Sequence, residues 1–163
     1  MQGFLIWGAF TIAVAAFCFW RPQAARIFVG VFFAVMGLGI HGAMIATGAQ
    51  DYVDFADSAP WGSYRDVGLW LTEPNPMAFG VFMLVLETVT AALILGRGRY
   101  VTWGLLGAAL FLVGITPLGL EEYPNLILAA GIAFLLTKDF PDDAWTTLRR
   151  HRSRHAQPVS TPR

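Results

Sequence analysis

The sequence predicts an all-α protein, a transmembrane helical bundle of about five spans. Hydrophobic residues make up 56% of the 163 residues and charged residues only 13%, about half the charged share that soluble domains carry. The charged residues concentrate at the chain ends and in a few loops. Long apolar segments without a polar face indicate that a lipid bilayer is the solvent.

Apolar runs set the expected spans, because a hydrocarbon core of about 30 Å requires roughly 20 apolar residues in helical conformation. The predicted spans cover residues 3–20, 27–47, 77–96, 100–120 and 123–137. The last run is short, so it either crosses a locally thinned bilayer or dips in and returns. Together with the loop 48–76, these spans form one domain over residues 1–140.

The basic residues decide between these alternatives and set the orientation. Lys and Arg near span ends prefer the cytoplasmic side. With the N-terminus outside and five crossings, all 11 Lys and Arg residues except Arg65 lie inside. A re-entrant last run would move the basic tail outside, so we expect five crossings. The expected location is the cell (plasma) membrane, and specifically a bacterial inner membrane.

The chain ends and the outer loop carry further expectations. A cleavable signal requires Lys or Arg before its apolar run, and none precedes the first run here, so we expect a retained helix. Residues 13–16 could also pass for a cleavage zone. Aromatic and charged residues alternate within 51–57 and 64–71 of the outer loop, which predicts short interfacial helices. The tail 141–163 is basic, cytoplasmic and partly disordered at its end, HAQPVSTPR. It either binds anionic lipid or only fixes the topology.

Small residues predict where the helices meet, since they allow the close backbone approach that holds helices together in lipid. The predicted packing residues are Gly30, Ala34, Gly37, Gly80, Gly104 and Ala108. His41 continues the stripe of the second span, and Glu87 lies on the same face as Gly80 in the third. Both ionisable residues are therefore expected to face the interior of the bundle.

His41 and Glu87 are expected to form a hydrogen bond or an ion pair, with Thr88 or Thr90 nearby. His41 lies about 9 Å and Glu87 about 15 Å from the outer ends of their spans, within side-chain reach of each other. Ionisable residues inside a membrane are costly and are usually paired or functional. Two interpretations remain open: interhelical glue, or a polar pocket for a proton, a quinone or a lipid headgroup.

A second set of acidic residues, Glu121 and Glu122, precedes Pro124 in a tight outer turn. With His41 this turn could roof an outward-facing cavity, or it could simply be a capped hairpin. Cys18 is the single cysteine, which excludes an internal disulfide. No metal site, nucleic-acid partner or cofactor is predicted, with a quinone as the open alternative.

Three segments resemble the DoxX-like family of small integral membrane proteins. RIFVGVFFAVMG at 26–37 looks like the first span of that family, VLETVTAALILGRGR at 85–99 like its second, and PNL followed by AAGIAFLL at 124–136 like its last. The resemblance covers about 26–140, and Glu87 matches the intramembrane glutamate of the family. The additional N-terminal helix and the acidic loop 48–76 depart from its pattern.

The resemblance implies a four-helix unit associated with membrane redox systems, such as quinone-dependent sulfur oxidation or oxidative-stress complexes. The leading hypothesis is an accessory subunit of a membrane redox or envelope complex without catalysis of its own. The first alternative is a quinone- or proton-handling oxidoreductase subunit that uses Glu87 and His41. The second is a small transporter or lipid-binding module with an outward-facing polar pocket.

Overall fold

The computed structural model describes residues 2–155, and the side chains of residues 3–149, as helices joined by short connections without any strand. The helices are α1 (Gln2–Trp20), α2 (Pro22–Ala46), α3 (Asp51–Asp57), α4 (Gly62–Thr72), α5 (Pro76–Leu95), α6 (Arg99–Ile115), α7 (Asn125–Leu135) and α8 (Ala144–His155). Two short 3₁₀ turns, Thr116–Leu118 and Leu120–Glu122, connect α6 to α7. The all-α prediction is confirmed.

Four helices, α1, α2, α5 and α6 with its following turn, are long and apolar enough to cross a membrane. They correspond to the first four predicted spans. The second begins five residues earlier than predicted, because Pro22 suits the first turn of a helix and starts α2 directly after Arg21. Arg26 therefore lies inside α2 rather than in a turn. The helix of the last predicted span has only 11 residues.

The five longest apolar helices form a closed ring around one core. α2 packs against α5, α5 against α6, α6 against α7, and α7 against α1, which also contacts α2. The centre of the ring is fully buried and apolar, with Phe33, Ile94, Leu105, Leu128 and Ile132 among its largest side chains. The ring therefore buries one apolar core between helices whose outer faces remain apolar and exposed.

Helices α1 and α7 run side by side in the same direction. At one end Trp7 donates a hydrogen bond from Nε1 to Oδ1 of Asn125, at 2.9 Å. At the other end the rings of Phe19 and Phe134 lie 4.4 Å apart. Between them a Cβ at Gly131 would lie 2.7 Å from Cα of Ala15. The short helix α7 thus extends from the level of Trp7 to the level of Phe19.

The predicted packing residues lie at helix contacts, and one of them, Gly80, contacts the loop helix α3 as well as a long apolar helix. A Cβ at Gly30 would meet Leu95 at 2.7 Å, and a Cβ at Gly104 would meet the backbone nitrogen of Ile94 at 2.7 Å. Ala34 packs against the core, Ala108 lies in it, and Gly37 touches α5. Gly80 instead makes room for Tyr52 of α3 and Ile45 of α2.

The two ends of the bundle differ in chemistry. The loop end carries α3, α4 and the 3₁₀ turns, and the predicted short helices of the 48–76 loop are present there. The basic end carries the α1–α2 and α5–α6 turns and the segment 136–143. There the backbone N–H of Gly98 donates to the carbonyl of Phe140 at 2.7 Å, and Gln23 donates to Thr147 at 3.0 Å.

The first part of the predicted tail is helical. Asp143 accepts hydrogen bonds from the backbone and side chain of Thr146 and so caps α8. This cap starts a helix that continues to His155. The disorder predicted for HAQPVSTPR falls almost entirely on residues 156–163, which lie outside the described part of the chain.

Candidate functional site

His41 lies at the end of a wide turn in the middle of α2. Residues Val35–His41 form a π-helical stretch, and regular α-helix resumes at Gly42. π-helical turns are rare and occur frequently at functional sites, because the additional residue redirects the side chains around it. The wide turn directs the imidazole of His41 into the bundle, where only 9% of the residue is exposed.

Glu87 faces His41 from α5 and is even more deeply buried, at 3% exposure. The distance from Nε2 of His41 to Oε2 of Glu87 is 3.4 Å. Gly37 permits this approach, since a Cβ there would lie 3.1 Å from Cβ of Glu87 and 3.2 Å from the carbonyl oxygen of Leu84. The structure thus brings the two predicted ionisable residues into contact, and small residues allow it.

The second ring nitrogen of His41 is bound by Tyr52, a residue that the sequence analysis did not single out. The distance from the Tyr52 hydroxyl to Nδ1 is 2.6 Å. The two rings also stack, with centroids 5.6 Å apart and planes 19° from parallel. Tyr52 belongs to α3, so one histidine connects the 48–76 loop to two apolar helices.

Tyr52 is a neutral phenol in this contact. Burial, and then the negative charges of Glu87 and Asp51, raise the pKa of Tyr52 to about 12. A neutral hydroxyl can donate to Nδ1 or accept from it, so the tautomer of His41 sets the direction of this bond. With Tyr52 at Nδ1 and Glu87 near Nε2, the three side chains form one continuous polar network.

At the α5 side of the network, two buried oxygen atoms lack hydrogen-bond partners among the described residues. Oε2 of Glu87 is buried without a hydrogen-bond partner, because 3.4 Å is longer than a usual N–H···O bond. Oγ1 of Thr88, next to it in sequence, is also buried and unpaired. Buried polar atoms are nearly always bonded, and exceptions point to a functional or hydrated site. The arrangement can hold a proton or a small polar group at Glu87.

Thr90, the other predicted threonine of this site, is buried three residues after Glu87, and residues at that spacing share a helix face. Its Oγ1 would lie 3.9 Å from a Cβ at Gly107 of α6, so it lies toward the α5–α6 contact. Its proximity to His41 stays a prediction.

Glu121 and Glu122 lie beside α1 and α7. The carboxylate of Glu121 lies against Gly3, where a Cβ would be 3.2 Å from Oε2. Glu122 accepts a hydrogen bond from Nδ2 of Asn125 at 2.7 Å. Because Oδ1 of the same asparagine accepts from Trp7, Asn125 links Trp7 to Glu122. Burial raises the pKa of Glu122, the Asn125 bond opposes this shift, and the charge of Glu121 adds to it. These acidic residues make a second polar network with its own partners.

Among residues 2–155, no group of three His, Cys, Asp or Glu side chains converges in a way that would hold a metal ion. Tyr52 could not have been found from spacing, since it is one of several aromatic residues among the acidic residues of the loop.

No family model, no curated protein and no solved structure matches the chain.

Proposed function

We propose that the chain is a DoxX-like integral membrane protein that crosses a bacterial inner membrane five times, with its N-terminus outside. The course of α7 supports the fifth crossing. Its 11 residues rise about 16 Å, yet it accompanies α1 from the level of Trp7 to the level of Phe19. With this topology every Lys and Arg except Arg65 belongs to the cytoplasmic side of the bundle, with Arg26 inside the first turns of α2.

The topology is tested with single cysteines placed in a Cys18→Ala background. A cysteine at Asp139 follows α7, and one at Ser58 lies in the 48–76 loop. With five crossings, a membrane-impermeant maleimide labels intact cells at position 58 and labels position 139 only after permeabilisation. Labelling of both positions in intact cells would mean that α7 does not cross.

Its function, we infer, is that of an accessory subunit of a membrane redox or envelope complex, without catalysis of its own. The observation that carries this proposal is the buried contact of Tyr52 with His41, which fastens the 48–76 loop to α2 and α5. A fastened loop presents a fixed surface. Its exposed aromatic residues include Phe55, Trp61 and Trp70, the residue types that anchor protein interfaces.

The accessory role is tested by photo-cross-linking in the host membrane, followed by purification in a mild detergent. A photoreactive amino acid at position 70 samples the loop, and one at position 103 is the control, because Trp103 is also a largely exposed tryptophan, on α6. We expect a discrete protein partner from position 70 and mainly lipid adducts from position 103. A free monomer that cross-links only to lipid at both positions would refute the proposal.

A second candidate function, a proton- or quinone-handling subunit, draws on the unpaired Oε2 of Glu87. In this function Glu87 holds the proton and His41 relays it toward Tyr52 at the loop end. Glu87→Gln keeps the shape of the side chain and removes its charge, while Glu73→Gln makes the same change at an exposed position. A Glu87→Gln protein that folds normally and retains full activity in its host complex would exclude this function.

The transporter or lipid-binding hypothesis required His41, Glu121 and Glu122 to line one pocket. The acidic pair instead contacts α1 and α7, so no contact favours that hypothesis over the two above.

A further inference from the structure

A groove at the basic end of the bundle is separate from the His41 network. Its volume is about 420 Å³. Val89, Ala92 and Leu93 of α5 form its apolar wall, and Arg97 and Asp143 lie at its polar rim. It therefore combines one apolar side with one positive and one negative side chain.

The apolar wall faces outward. Val89 is 51% exposed and Ala92 is exposed as well, and α5 is one of the helices able to cross a membrane. A groove on the outer face of such a helix opens toward acyl chains. Because α5 ends at Leu95, the rim lies where the hydrocarbon region gives way to headgroups.

The carboxylate of Asp143 is held in place. It accepts the backbone N–H of Thr146 at 2.7 Å and its hydroxyl at 3.1 Å. The backbone bond from Thr146 contributes most to holding the pKa of Asp143 below its usual range; burial opposes this shift, and the Thr146 hydroxyl, the Trp145 N–H and the charge of Arg97 add to it. The rim thus presents a fixed carboxylate beside a guanidinium at neutral pH.

A third charge lies behind the groove. The side chain of Arg26 is fully buried and donates from Nη1 to the carbonyl oxygen of Gly96, another residue of the groove, at 2.9 Å. Its Nε and Nη2 have no hydrogen-bond partner in the described part of the chain. Arg26 and Arg97 thus bring two positive charges to this side of the groove, and the charges of Asp143 and Asp142 both act on Arg26.

We propose that this groove binds an aminophospholipid such as phosphatidylethanolamine, with its phosphate at Arg97, its ammonium at Asp143 and an acyl chain along Val89 and Leu93. A primary ammonium has N–H donors for the carboxylate, whereas the quaternary ammonium of phosphatidylcholine has none. A purely anionic headgroup would satisfy Arg97 but would be repelled by Asp143. The site needs α5 to lie in a bilayer but does not depend on an accessory role.

The test is native mass spectrometry of the full-length protein, released from nanodiscs of equal parts phosphatidylethanolamine, phosphatidylcholine and phosphatidylglycerol. We expect the ethanolamine lipid to be retained about fivefold over each of the others, the ratio typical of one interfacial charge contact. Asp143→Asn should bring its ratio to the choline lipid close to one. Asn caps helices as well as Asp does, so this variant keeps α8.

Variants of the arginine side and of the wall complete the design. Arg97→Gln should lower retention of all three lipids. Arg21→Gln removes the same charge at the same end of the bundle, from the α1–α2 turn outside the groove lining, and should leave retention unchanged. Ala92→Trp fills the groove while keeping both rim charges, and should abolish the preference. Circular dichroism melting verifies that each variant is folded.

Three results would overturn the proposal: equal retention of the three lipids, preferential retention of phosphatidylglycerol, or an Asp143→Asn protein with an unchanged ethanolamine preference. An identical loss from Arg97→Gln and Arg21→Gln would also contradict it, by indicating general attraction to charge. A missing partner in the cross-linking experiment has no bearing on these ratios, so the two proposals fail independently.

Discussion

Replacing Tyr52 with phenylalanine removes one oxygen atom from the buried network and leaves its packing intact. The hydroxyl lies 2.6 Å from Nδ1 of His41. The ring stacks on His41 and meets the ring of Phe79 edge-on, with centroids 5.4 Å apart. It also fits over Gly80, where a Cβ would lie 2.8 Å from Cε2. Phenylalanine keeps all of these contacts, so the change isolates the hydrogen bond.

The expected loss of stability follows from the burial of His41, which is only 9% exposed. Leaving a buried donor or acceptor unpaired costs about 1–3 kcal/mol. Hydrogen bonds in membrane proteins average about 0.6 kcal/mol, with a maximum of about 1.7. Because the Tyr52 bond is short and His41 is shielded from water, we expect the free energy of unfolding to fall by about 1–2 kcal/mol.

The assay is reversible unfolding in mixed micelles of a mild detergent and sodium dodecyl sulfate, with hydrogen exchange of the α3 amides as a local readout. Tyr64→Phe is the matched control, since it removes the same oxygen from an exposed residue of the same loop. It should alter stability by less than about 0.5 kcal/mol. In Tyr52→Phe the α3 amides should exchange faster, because α3 loses its bond to α2.

Equal unfolding free energies for Tyr52→Phe and Tyr64→Phe would refute the reasoning. Unchanged protection of the α3 amides would refute it separately, because the loop would then be held by packing alone. In that case the inference that Tyr52 fastens the loop for a partner would also lose its support.

Two further predictions concern a helix contact and a buried carboxyl group. Gly104→Ala places a Cβ 2.7 Å from the backbone nitrogen of Ile94 and should lower the free energy of unfolding by about 1–3 kcal/mol in the same micelle assay. The control is Gly114→Ala, whose Cβ would have nothing within 4 Å and which should be neutral or stabilise by up to about 1 kcal/mol. Similar free energies for both variants would contradict the predicted clash. Burial raises the pKa of Glu122 in the folded state, so the folded protein holds this proton to higher pH than the unfolded chain does, and stability should decline as pH rises through that interval. Glu122→Gln should flatten the decline, exposed Glu73→Gln should not, and parallel pH profiles for both variants would exclude this role of Glu122.

The inward faces of the longer spans could be predicted from the sequence because each is a local property of one helix. Gly30, Gly37 and Gly104 were predicted as packing residues, and all three lie at contacts with the neighbouring helix. His41 and Glu87 share those faces, which was enough to place them together. A helix in lipid presents its small residues to its neighbours, so composition and periodicity carry this information.

The composition of the polar network could not be predicted in the same way. Tyr52 reaches His41 only because the connection after α2 folds α3 back over Gly80. The π-helical turn at Val35–His41 also departs from the regular periodicity on which the helical stripe was drawn.

The sequence by itself determined that this protein is helical and suited to a membrane, because apolar length and the scarcity of charge act locally and need no partner. It also determined which faces of the longer spans turn inward. Only the tertiary structure decided that α7 packs beside α1, that Glu122 bonds to Asn125 beside Trp7, and that Tyr52 completes the network of His41. Those contacts join residues separated by turns and whole helices, and their geometry depends on how all the helices pack together.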